Sequence, residues 1–113
     1  MAQDLLARID DRRDALVELT RELVRFPTVN PPGEHYEPCA RHLGERLARA
    51  GFEVTYVRAE SAPGDSERFP RLNVLARREG RGPGPCVHFN GHIDVVEAGH
   101  GWTVDPFAGV VRD

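Results

Sequence analysis

"LGERLARAGFEVTYVR", residues 43–58, changes its apolar rhythm half-way through. Before Gly51 the apolar positions are Ala40, Leu43, Leu47 and Ala50, three or four apart, the narrow stripe of a helix. After it, Phe52, Val54 and Tyr56 alternate with polar residues, the period of a half-buried strand. Gly51 stands at the switch, where a left-handed residue commonly ends a helix. The spacing predicts a helix from Glu37 to Ala50, with Pro38 in its first turn, and a strand over 52–58. A helix delivering the chain directly into a strand is the mark of an α/β layer.

Upstream, residues 4–25 read as one amphipathic helix. Leu5, Ile9, Leu16, Leu19 and Leu23 recur at spacings of four, seven, three and four. Asp, Glu and Arg fill the opposite, solvated face. Pro27 ends the helix, because a proline pushes the residue before it out of helical geometry. "TVNPPGEH", 28–35, is a loop by composition. His35 in that loop and His42 on the second helix read as surface residues.

Downstream, "AESAPGDSERFP" (59–70) is a polar loop and "RLNVLAR" (71–77) a second strand. "REGRGPGP" is short enough for a hairpin, and its glycines carry no phosphate-loop pattern. "CVHFNG" (86–91) reads as a third strand. The expected architecture is therefore α/β, with two N-terminal helices packed on a mixed β-sheet of at least three strands.

Composition narrows the function classes. Of 113 residues, 40% are hydrophobic and 29% charged, the balance of a globular chain long enough for one small core. The net charge of −3 excludes a basic footprint for nucleic acid or an anionic membrane. All fifteen basic residues are Arg. No apolar run reaches the roughly 20 residues of a membrane span, and the charged N-terminus lacks a signal-peptide core, so a cytoplasmic location is the default. Cys39 and Cys86 are too few for a disulfide framework or zinc knuckle and read as two buried thiols.

Chemistry concentrates in "FNGHIDVVEAG", residues 89–99. His88, Asn90, His92 and Asp94 share parity, and Gly91 marks a bend at the strand end. His92 and Asp94 would then sit where α/β proteins tend to place their sites. A metal needs an imidazole whose other nitrogen is held by an acceptor, commonly a carboxylate, and Asp94 is placed to serve. The spacing alone is weak evidence for a ligand and favours a buried structural histidine. His88 reads as buried in the central strand, His100 as exposed, and Asp105-Pro106 as turn chemistry rather than a ligand. Trp102 and Phe107 are expected to pack beneath the site loop.

The longer stretch "HFNGHIDVVEAGHGWTVDPFAGVV", 88–111, resembles the signature of the zinc aminoacylase and exopeptidase family that includes acetylornithine deacetylase, succinyl-diaminopimelate desuccinylase and the glutamate carboxypeptidases. The matching residues are Gly91, His92, Asp94, Val95, Val96, Trp102, Asp105, Pro106 and Phe107. "LVRFPTVNPPGEH", "LGERLARAGFEV" and "RLNVLARREG" resemble earlier family segments in the same order. The resemblance implies the N-terminal part, residues 1–113, of a zinc-peptidase-like catalytic domain. It implies that His92 binds one zinc of a two-metal site, with cobalt or manganese as alternatives, and that Asp94 is the catalytic-site aspartate that orients it. It further implies hydrolysis of amide bonds in N-acyl amino acids or small peptides, and a homodimeric parent.

In that family the bridging aspartate, the glutamate base, the other metal ligands and a smaller domain lie beyond the point matching Asp113. Val110 and Val111 look like the start of a strand with nothing after it to pair with. The expectation is thus a fragment, inactive alone and marginal in stability or prone to associate. The alternative is a non-catalytic fragment or partner-binding domain. An amidohydrolase barrel is a third option, but Asp94 stands where a second histidine would be required, and the preceding helix pair counts against it.

Overall fold

The computed structural model describes residues 1–112. It contains three helices and two strands: α1 (Ala2–Asp10), α2 (Arg13–Val24), α3 (Tyr36–Arg49), β1 (Glu53–Arg58) and β2 (Leu72–Arg77). None of these helices is long and apolar enough to cross a membrane. The chain divides into two compact units: Met1–Pro27 with the described residues from Ala98 onward, and Thr28–Glu97.

In the first unit the single helix expected over 4–25 is two. The Arg12 amide reaches back only three residues, to the Ile9 carbonyl, and Arg12 itself leaves helical geometry at φ −102° and ψ 8°. The break falls inside the seven-residue gap between Ile9 and Leu16, where "DDRRD" supplies no large apolar side chain to hold a continuous ladder. Leu5, Ile9 and Leu16 are exposed, whereas Leu19 and Leu23 are half-buried. α2 ends before Pro27, as the pre-proline restriction requires. Arg21 caps the return of the chain, its Nε–H donating to the Gly109 carbonyl at 2.7 Å. Gly109 has φ +65°, and a Cβ there would press on the α2 backbone at Arg21. Val110 and Val111 form no strand and are more than half exposed.

In the second unit α3 runs one residue out of register with the expected helix, and its exit follows the Schellman pattern. The Phe52 amide bonds the Leu47 carbonyl and the Gly51 amide that of Ala48, with Gly51 at φ +85°. The α3 face turned to the strands carries Tyr36, Cys39, Ala40 and Gly44, all buried, with Leu43 and Leu47 half-buried. Ala50, expected on this stripe, is exposed. Gly44 is the close approach: a Cβ there would meet the Tyr56 ring. That ring also lies 5.4 Å from the Arg41 guanidinium.

β1 alternates exposed and half-buried along its whole length, with Val54 and Tyr56 inward. It pairs antiparallel with β2, Tyr56 opposite Val74 and Val54 opposite Ala76. The loop between them is polar but firmly held. Arg58 grips Asp65 through Nε and Nη2 and reaches Glu67 through Nη1. Asp65 also accepts the Arg71 amide at 2.9 Å.

Two expectations fail here. The sheet is two-stranded and antiparallel, not mixed with three or more strands, among the described residues. Residues 86–91 are not a strand: Val87 is 71% and Phe89 90% exposed, and the segment is unpaired. The connection to it explains why no hairpin forms. Gly80, Gly82 and Gly84 raise the entropy of ordering it, and Pro83 and Pro85 remove amide donors without spelling a tight turn.

Candidate functional site

The segment after residue 91 is tied back to the loop before α3. Val29 and Val95 form an isolated parallel bridge. The Val95 amide donates to the Thr28 carbonyl at 3.0 Å and the Asn30 amide to the Val95 carbonyl at 2.8 Å. Thr28, itself buried, donates its hydroxyl to the Ile93 carbonyl. These bonds carry Asn30 alongside Asp94.

His92 and Asp94 touch as the sequence suggested. Nδ1 of His92 lies 2.9 Å from Oδ1 of Asp94 and 2.9 Å from the Asp94 carbonyl oxygen. Both of those oxygens only accept, so in the neutral ring the proton is on Nδ1 and the lone pair on Nε2. The His92 side chain is 84% exposed, which leaves Nε2 open. This is the form in which an imidazole ligates a metal. One imidazole is not a metal centre, however. Catalytic zinc takes three protein donors, and no group of three His, Cys, Asp or Glu gathers among the described residues. The residues here fit one ligand and its orienting carboxylate.

Three neighbours escaped the sequence reading: Asn30, Arg71 and Tyr36. Asn30 Nδ2 donates to Asp94 Oδ2 at 3.3 Å, and Arg71 Nη2 donates to Asn30 Oδ1 at 3.2 Å. The Arg71 guanidinium lies 4.9 Å from the centroid of the buried Tyr36 ring. Gly33 and Gly64 make room for it, since a Cβ at either would fall on the guanidinium. Burial, and then the Asp94 charge, push the Tyr36 phenol above its ordinary pKa, against the opposing pull of Arg71. The only sequence signal was the placing of Asn30 in a loop and Arg71 at a strand start, which does not reveal that they meet.

The remaining candidates separate. His88 is exposed, not buried, because the strand meant to bury it does not form. His100 is exposed, as expected. Asp105 does make turn chemistry, its Oδ1 accepting the Phe107 amide at 2.9 Å. Trp102 is 58% exposed rather than packed beneath a loop, with its Nε1–H on the Ala98 carbonyl, and Phe107 is half-buried. Cys39 is buried, and burial raises its pKa, but Cys86 is exposed because it too lies in the unpaired segment.

Known proteins resemble this chain through its sequence. It is 38% identical over 105 residues to the succinyl-diaminopimelate desuccinylase of Acinetobacter baylyi, an alignment covering 91% of this chain and 24% of that protein. The protein of the same name from Cereibacter sphaeroides is 40% identical over 100 residues, covering 86% and 23%. That from Methylobacterium radiotolerans is 39% identical over 102 residues, covering 88% and 24%. The chain thus spans about a quarter of the length of the curated relatives it matches. No family model and no solved structure matches it. The likeness runs over most of this chain and supports its place in the aminoacylase and exopeptidase family that includes succinyl-diaminopimelate desuccinylase.

Proposed function

We propose that this chain forms part of the catalytic domain of a metal-dependent hydrolase that cleaves the amide bond of N-acyl amino acids or small peptides. The names of its relatives favour a succinylated amino acid as substrate. The observation that carries the reading is the 2.9 Å contact between His92 Nδ1 and Asp94 Oδ1. It would leave Nε2 as the ligating nitrogen, with Asp94 as the carboxylate that orients the ring. His92 would hold a metal, zinc or alternatively cobalt or manganese, and that metal would supply polarisation of the scissile carbonyl and a more acidic bound water. The contribution of this chain is one donor, held at a defined angle. Because no third donor gathers among the described residues, the 113 residues alone are expected to be inactive.

The test is a panel of N-succinyl, N-acetyl and dipeptide substrates, assayed with and without chelator. It is run on the 113-residue chain and on any longer gene product carrying it. In the longer product, H92A is expected to lose bound metal and turnover, and D94N to lose about 10–100-fold in activity. Retention of metal and turnover by H92A would remove the ligand reading. Zinc-dependent hydrolysis by the 113 residues alone would overturn the expected inactivity.

A second reading, a non-catalytic partner-binding domain, rests on the first unit. An open groove of about 520 Å³ there is lined by Leu16, Val17, Val24, Trp102, Val110 and Val111. Apolar surface of this kind often marks an interaction site.

A further inference from the structure

We propose that Asn30 and Arg71 are positioning residues for the His92–Asp94 pair, forming a relay in which Arg71 holds Asn30, Asn30 holds Asp94, and Asp94 holds the histidine. The functional meaning of the relay rests on the reading of His92 as a metal ligand. Its existence does not.

The chemistry of the chain of contacts is directional. A guanidinium only donates and a carboxylate only accepts. The group between them must therefore accept on one side and donate on the other. Asn30 does so, with Oδ1 facing Arg71 at 3.2 Å and Nδ2 facing Asp94 at 3.3 Å. The two partners also settle which way the amide points, since the flipped form would set a donor against a donor and an acceptor against an acceptor. An aspartate of the same shape could not replace it.

Asp94 needs such a restraint. Rotation of a carboxylate about its last torsion is broad, so the backbone alone does not fix the plane in which its oxygens face His92. A hydrogen bond on Oδ2 leaves Oδ1 for Nδ1 of the imidazole. The restraint is itself anchored. The Asn30 backbone is bonded to Val95, and Arg71 is stacked on Tyr36 between Gly33 and Gly64. Arg71 Nη1 is buried and finds no hydrogen-bond partner among the described residues. An unpaired buried donor is costly, and a lysine or a neutral residue could fill the space without it. The placement is accounted for by the Tyr36 ring beside the guanidinium and by the Nη2 bond to Asn30.

The experiment reads the tautomer of His92 in the 15N-labelled 113-residue chain. Two-bond 1H–15N imidazole correlations are recorded on the neutral ring, which the 15N shifts themselves identify. The native chain is expected to show Nδ1–H as the major form. In N30A and N30D the ratio of Nδ1–H to Nε2–H is expected to fall at least two-fold, and in R71K to fall less, in the same direction. Amide shifts of β1 and β2 report whether each variant is folded. N30D, nearly isosteric with the native residue, carries the test if N30A does not fold. A folded N30D or N30A with the native tautomer ratio overturns the relay, as does a native chain with Nε2–H dominant. Failure of the ligand reading is seen elsewhere, as metal and turnover retained by H92A in a longer product, and leaves the tautomer result standing.

Discussion

The β1–β2 pair and the segment 86–90 are both written in strand-friendly residues, yet only the first becomes a sheet. β1 alternates its side chains against a helix that has a glycine where a tyrosine ring must pass, and every residue from Glu53 to Arg58 has a partner across β2. "CVHFN" alternates as well, but no strand among the described residues pairs with it, and Phe89 is 90% exposed. The difference shows that β-propensity records how well a residue fits a half-buried pleated surface, not an ability to create one.

Filling the close approach at Gly44 breaks the paired side most directly. G44L must displace the Tyr56 ring from α3. Overpacking of this sort costs about 1–3 kcal/mol, and the roughly 0.8 kcal/mol gained by removing a helix-interior glycine offsets only part of it. A lower urea midpoint, with an unchanged slope, is the expected result. An unchanged midpoint would mean that the ring does not pack where Gly44 admits it.

The loop that joins the paired strands offers a smaller, pH-dependent effect. Hydrogen bonds from Arg58, then from the Arg71 amide, hold the Asp65 carboxyl below its usual value of 3.8. Its folded pKa is therefore lower than its unfolded one, so its contribution is complete above the unfolded value and is lost as the pH falls through the folded one. D65N is expected to flatten the acid limb of the stability profile below about pH 4 and to leave the slope at neutral pH unchanged. Thermal melts across pH 2–7 check this, and parallel profiles for the two proteins would contradict it.

The unpaired stretch should be nearly silent. F89S removes an apolar ring that is already exposed, and the α3–β1–β2 layer is expected to change by no more than about 0.5 kcal/mol. A larger loss would reveal that Phe89 is covered in solution.

The site was legible to different depths. His92 and Asp94 could be paired from their spacing and their surroundings, because two residues close in sequence can meet without help from the rest of the fold. Asn30 and Arg71 could not, since they lie 64 and 41 positions from their partners Asp94 and Asn30. Long-range contacts such as the Val29–Val95 bridge and the clamped Asp65 loop bring them together. His88 and Cys86 were misplaced for a related reason: their expected burial depended on a strand whose partner the sequence does not specify.

Local rules were enough for the helix over Tyr36–Arg49, its stop at Gly51, the alternation of β1 and the turn at Asp105, because capping, periodicity and Asx chemistry act within a few residues. The unpaired 86–91 segment and the line from Arg71 through Asn30 to Asp94 were decided by tertiary structure. Each depends on whether a distant group arrives to bury a side chain or accept a hydrogen bond, and that is a property of the folded chain as a whole.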